Sequence, residues 1–316
     1  MARRSVLIVV AVLAMSVSIA DASPAPGTHD LVFSDWAGPQ INVRMQVPKG
    51  LDAHTPIVFV MHGASRDMPR YFDDWSKQAD AHGFIAVVPE FTASDFKGSA
   101  RYNLGHVFDP DTRKRRDEAE WTFSAIEPLF DHIVEWADSQ QQTYRLFGHS
   151  AGSQFVHRFL YYVPNARASK TILANAGWYT MPDFGVDYPY GLSFSGVGAD
   201  VLPGYFGRDV TVLLGDADID ASDEDLRRTP EAELQGPHRL ARGQTFFRVA
   251  KAKAKALGVD FNWRIRIVPG AEHSNAQMTP AAAELLMAAD QVLRSPVETA
   301  ARSSSLRKTQ SSPSNN

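Results

Sequence analysis

Apolar and polar positions alternate singly near the start of the chain and gather into blocks further on. Ile41, Val43, Met45 and Val47 alternate with Asn42, Arg44 and Gln46, a period of two that predicts a strand with one buried face. Residues 30–34 predict another strand, with Gly38-Pro39 as the turn between the two. From Ile57 to Met61 the run is continuously apolar, as in a parallel strand covered on both faces. A helix is predicted over 71–82 and ended by Gly83, then a buried strand over 84–88 stopped by Pro89. Helical periodicity covers 118–137, with Pro128 placed to kink or split it. A strand over 144–147, a helix over 153–163, a strand over 171–173 and a strand over 210–214 follow. The pattern closes with a helix over 240–257 ended by Gly258, a strand over 261–268 and a helix over 280–293. Strands alternating with helices predict an α/β fold: a mostly parallel sheet with helices on both faces and an antiparallel N-terminal strand pair.

The two ends depart from this pattern. Arg3 and Arg4 precede an apolar run from Leu7 to Ala20, and Ala20-Asp21-Ala22 fits a small-x-small cleavage site. Residues 1–22 are therefore expected to be a signal peptide, and the protein to be exported, periplasmic or secreted. The apolar run is shorter than the ~20 residues a membrane span needs, so no stable membrane anchor is expected after cleavage. Residues 300–316 are rich in Ser, Asn, Lys and Arg and are expected to be a disordered tail. One catalytic domain is expected over 23–299. The 316 residues include no cysteine, which excludes a disulfide framework, thiolate chemistry and a cysteine-linked lipid anchor. The formal net charge of -4 gives no basic field for nucleic acid.

The candidate chemistry starts at Gly148-His149-Ser150-Ala151-Gly152. A Gly-x-Ser-x-Gly run turns a strand sharply into a helix and exposes the serine, and here a β-rich run precedes it and a helical run follows. Ser150 is the expected nucleophile. His149 adjoins it and points away at such a turn, so it is read as structural. A serine hydroxyl needs a base in hydrogen-bond reach, and the base needs a carboxylate to hold its tautomer. Of the three histidines that follow Ser150, His157 is on the next helix and His238 is in a polar loop. His273 comes just after the strand ending at Val268, at the carboxyl end where ligands bind in open α/β sheets. The strand ending at Leu214 opens into Gly215-Asp216-Ala217-Asp218-Ile219-Asp220. Asp218 is favoured as the acid because one or two residues must pass before the chain can aim back at the histidine loop. Asp216 and Asp220 stay open as alternatives. The Asp-x-Asp-x-Asp spacing is not an EF-hand loop, since its sixth and twelfth positions are Ala221 and Arg227. Backbone N–H groups of Ala151, after the nucleophile, and Ala64, in His62-Gly63-Ala64, are expected to form the oxyanion hole.

Four motifs in order carry a resemblance: the His62-Gly63-Ala64 loop, the Gly148–Gly152 elbow, the Gly215–Asp218 acid loop and the Pro269–His273 histidine loop. From residue 30 to residue 293 the chain resembles the α/β-hydrolase superfamily. The stretch from Met61-His62-Gly63-Ala64 through Ala79-Asp80-Ala81-His82-Gly83-Phe84 to Val88-Pro89-Glu90 is similar to exported poly(3-hydroxybutyrate) depolymerases and feruloyl esterases. The resemblance implies a serine esterase that forms an acyl-enzyme on small or polymeric esters, with no cofactor and no metal. A peptidase or amidase of the same fold is the alternative. A binding protein on a degenerate hydrolase scaffold should have lost a triad member, and none is missing. Residues 177–207 hold many aromatic rings and are expected to arch over the site as a partial lid, with Trp178 and Tyr179 as substrate contacts.

Overall fold

The computed structural model describes residues 23–289. The expected signal peptide over 1–22, the expected tail over 300–316 and the last four residues of the predicted helix 280–293 lie outside the described residues. Eight strands form one sheet: β1 (Gly27–Phe33), β2 (Ile41–Val47), β3 (Ile57–Met61), β4 (Ile85–Glu90), β5 (Tyr144–His149), β6 (Ala168–Ala174), β7 (Val210–Gly215) and β8 (Arg264–Val268). The helices are α1 (Met68–His82), α2 (Gly98–Arg101), α3 (Ile126–Trp136), α4 (Ala151–Tyr162), α5 (Val201–Gly207), α6 (Pro230–Glu233), α7 (Arg239–Leu257) and α8 (Asn275–Met287).

The strand order is β1-β2-β4-β3-β5-β6-β7-β8. The first pair is antiparallel and β2 also runs antiparallel to β4, whereas every later pairing is parallel. β3 and β4 are buried along their apolar length, which is why their sequences show no alternation. One layer of apolar side chains joins α3, α4 and α7 to the sheet through residues such as Ile133, Phe155 and Phe246. The opposite layer joins α1 and α8 through Trp75, Ala79, Met278 and Leu286.

Two helices differ from the pattern. The predicted helix 118–137 is split, with two short 3-10 turns over Glu118–Glu120 and Thr122–Ala125 before α3 begins at Ile126. Pro128 falls in the first turn of α3, where no backbone N–H is required of it, so it marks a start rather than a kink. α8 begins at Asn275, five residues before the predicted start, and carries Pro280 within it.

Parallel strands deliver all their carboxyl ends to one edge of the sheet. Met61 pairs with Gly148, His149 with Ala174, and Gly215 with Val268. The loops after β3, β5, β6, β7 and β8 therefore open side by side.

Candidate active site

Ser150 sits between β5 and α4 with φ 56° and ψ -118°, a backbone region that side chains avoid and that persists where the surroundings impose it. Both flanking glycines are needed. A Cβ on Gly148 would lie 2.3 Å from the Gly152 carbonyl oxygen, and a Cβ on Gly152 would lie 2.0 Å from that of Met61. The turn is held by the Ser150 N–H, which donates to the Ala174 carbonyl at 3.0 Å.

The Ser150 hydroxyl donates to His273 Nε2 at 3.0 Å, and His273 Nδ1–H donates to Asp218 Oδ2 at 2.8 Å. The Asp218 carboxylate is buried, and the His273 side chain is 24% exposed toward the cavity. The two aspartates left open by the sequence have other partners. Asp216 accepts from the Gly270 N–H at 2.6 Å and so holds the histidine loop. Asp220 is exposed and accepts from the backbone and hydroxyl of Ser222, which holds its carboxyl below the usual range. Of the other two histidines, His238 caps α7 through Nδ1, and His157 is buried between Ser153 O and the Thr180 N–H.

Ala151 is the first residue of α4, where backbone N–H groups have no partner within the helix. Ala64, on the loop after β3, lines the same cavity. His62 braces that loop from inside the protein. Its Nε2 accepts from the Phe91 N–H at 3.0 Å, so Nδ1–H donates to the Gly63 carbonyl at 3.1 Å. Burial, the largest cause, lowers the His62 pKa to about 4 and keeps the ring neutral. Gly63 must lack a side chain, since a Cβ there would lie 2.8 Å from the Tyr71 hydroxyl and 3.6 Å from Ser150 Cβ.

His149 has no hydrogen bond to Ser150 or His273, but it borders the cavity and packs against the base. Its ring centroid is 4.8 Å from that of His273, and its Nδ1 is 2.8 Å from the Tyr71 hydroxyl. Burial first, then the charges of His273, Arg239 and Arg70, hold His149 well below its usual value. A neutral ring in this place avoids a second cation under His273.

Several positioning residues carried no signal in the sequence. Asn175, just after β6, accepts from the Gly215 N–H at 2.9 Å and donates to the Glu272 carbonyl at 3.4 Å. It ties the acid loop to the histidine loop, a role visible only once three strands are adjacent. The cavity beside Ser150 has a volume of about 500 Å³, and its wall includes Arg70, Asn103, Gln154, Trp178, Arg227 and Arg239. Glu224 to Arg227 form one side of it, although that segment shows no periodicity to mark it.

The expected aromatic lid over 177–207 is corrected by its packing. Tyr179 is fully buried, stacks on Phe246 with centroids 4.3 Å apart and does not line the cavity. Tyr205 and Phe206 are in the same core. Trp178 does line the cavity, with the Arg158 guanidinium 4.0 Å and that of Arg227 4.8 Å from its ring centroid. The wall therefore sets arginines, two acidic residues and two amides around one indole. Among the described residues no group of three or more metal-ligating side chains is gathered, and no helix is long and apolar enough to cross a membrane.

No protein-family model and no curated protein matches the chain. Solved structures do. A poly(aspartic acid) hydrolase from Sphingomonas sp. KT-1 is 41% identical, with a TM-score of 0.81 over 83% of this chain and 99% of that one. A poly(3-hydroxybutyrate) depolymerase from Bordetella parapertussis is 31% identical, with a TM-score of 0.78 over 88% of this chain and 94% of that one. An S-formylglutathione hydrolase from Agrobacterium tumefaciens shares the fold at 15% identity, with a TM-score of 0.53 over 83% of this chain and 95% of that one. The chain belongs to the α/β-hydrolase family of serine esterases and depolymerase-like hydrolases.

Proposed function

We propose that this enzyme is an exported serine hydrolase that cleaves carboxylic esters, small or polymeric, through an acyl-enzyme on Ser150. The observation that carries the reading is the unbroken chain Ser150–His273–Asp218, with contacts of 3.0 and 2.8 Å. Ser150 attacks the carbonyl as His273 Nε2 takes its proton. Negative charge then builds on the carbonyl oxygen, and the Ala64 and Ala151 N–H groups receive it. Collapse expels the alcohol, which takes the proton back from His273. Water, deprotonated by the same imidazole, frees the acid and restores Ser150. Asp218 orients the ring and stabilises the imidazolium of each step. These steps draw on side chains and backbone alone, so no cofactor or metal is assigned. Export rests on the sequence of residues 1–22, and the partners are the substrates, without nucleic acid or a membrane anchor.

A second reading, hydrolysis of the amide backbone of an anionic polymer, is favoured by one observation. Arg70 and Arg227 line the cavity, where carboxylates flanking a scissile bond would meet them. The relative from Sphingomonas acts on poly(aspartic acid).

A fluorophosphonate probe should label the mature enzyme at Ser150 and fail to label Ser150→Ala. Labelling that persists in Ser150→Ala would refute the assignment. Turnover of p-nitrophenyl esters, 3-hydroxybutyrate oligomers and poly(aspartic acid) by one preparation separates the two readings. Release from the esters alone supports the first, and chain shortening of the polyanion supports the second.

A further inference from the structure

Arg239 opens α7 with its side chain only 2% exposed. Its Nη1 lies 2.5 Å from Asp223 Oδ2 and 3.6 Å from Asp218 Oδ1. Asp218 thus meets His273 on one oxygen and a buried cation on the other. The backbone joins the same pieces, since the Leu240 N–H donates to the Asp218 carbonyl at 3.2 Å. Asp223 leads directly into Glu224, Asp225, Leu226 and Arg227, which line the cavity. Arg239 lines it too, and its buried Nε has no partner among the described residues.

A buried guanidinium needs a carboxylate, and Asp223 supplies one at hydrogen-bond distance. The hydrogen bond from Arg239 is the largest cause of the lowered pKa of Asp223. The contact with Asp218 is too long for a hydrogen bond and acts as charge on charge. Asp218, Asp223 and Arg239 together carry one net negative charge. That charge faces an imidazole which must become a cation in the transition state, yet must be neutral beforehand. Two unbalanced carboxylates would favour the imidazolium over the neutral base. The other groups around His273 are the neutral His149 below it with Tyr71 behind, Ser150 in front, and Arg70, Glu224 and Asp225 on the cavity wall.

We propose that Arg239 is a positioning residue that balances the charge of Asp218 and, through Asp223, couples the triad acid to the cavity wall over 224–227. This rests on the reading of Ser150, His273 and Asp218 as the triad.

The test is the pH dependence of kcat/KM on a p-nitrophenyl ester for the wild type, Arg239→Gln, Arg239→Lys and Asp223→Asn. Arg239→Gln removes the cation and should move the acid limb up by about one pH unit. It should also lower kcat near neutral pH by roughly tenfold or more. Asp223→Asn keeps a hydrogen-bond acceptor but removes an anion, so its limb should move down. Arg239→Lys restores the charge without the planar fork, so the limb should return toward wild type while kcat stays reduced. Limbs that stay fixed while kcat falls, or that move the same way in Arg239→Gln and Asp223→Asn, would overturn the proposal and leave Arg239 a packing residue. Should Arg239→Gln fail to fold, Asp223→Asn, on a loop at the cavity wall, decides alone. Fluorophosphonate labelling of each preparation separates the two levels. A wild type unlabelled at Ser150 defeats the triad reading, whereas a labelled wild type with unmoved limbs defeats only the role of Arg239.

Discussion

Asp216, Asp218 and Asp220 stand two residues apart on one loop, and the turn after β7 sends each to a different partner. Asp216 reaches the Gly270 N–H, Asp218 reaches His273, and Asp220 stays in solvent with Ser222. Asp218→Asn should therefore lower kcat by about 10⁴, because an amide that also donates no longer fixes the tautomer of the ring and no longer stabilises the imidazolium. Asp220→Asn should leave kcat within about twofold, as for a surface change away from the site. Steady-state kinetics of the two purified variants checks both, and a reversed order would move the acid to Asp220. Ser150 and His273 are legible in the sequence because each follows a recognisable strand at the distance the chemistry needs. Asn175, Arg239 and Asp223 are not. Each works by joining loops distant in the chain, and no local pattern records that. Tyr179 misleads for a related reason: an aromatic beside Trp178 reads like a pocket residue, yet its ring points into the core against Phe246.

Among the elements, α4 presses directly on the end of β3 at the elbow. Gly152 faces the Met61 carbonyl, and the collision there is backbone against backbone. Gly152→Ala should cost about 3 kcal/mol or more, since neither strand nor helix can give way. Chemical denaturation of the variant measures this. A loss below about 1 kcal/mol would mean that α4 can shift off the sheet. The strand and helix order was legible because buried parallel strands are continuous apolar runs and the helices are periodic. The cavity wall over 224–227 was not, because a polar, non-periodic loop takes its place from Arg239, through Asp223, and from Arg227, which meets Tyr190 and Trp178. Pro128 was legible as a break but not as the start of α3, since one residue type serves both.

At the scale of the whole molecule, three neutral histidines are buried around the site: His62, His149 and His157. Burial is the largest cause of the lowered pKa of each, to about 4 for His62. An unfolded chain protonates these rings near the ordinary value of about 6.5. Between that pH and about 4 the unfolded state holds more protons than the folded one, so stability falls as pH falls. Above about pH 6.5 the contribution is complete. For His62 alone it is about 3 kcal/mol, lost progressively between about pH 6.5 and 4. Urea midpoints measured across that range should drop steeply toward acid. His62→Gln should flatten part of the slope, and midpoints that do not change across the window would contradict the neutral, buried assignment.

An acyl group that passes through Ser150 can be trapped there. The wild-type enzyme is mixed with excess p-nitrophenyl acetate, quenched in acid within milliseconds and mapped by peptide mass spectrometry. A burst of p-nitrophenol should accompany one acetyl group per chain on Ser150, with neither burst nor adduct in Ser150→Ala. Turnover that continues in Ser150→Ala, or an acetyl group carried on another residue at the burst, would contradict the account.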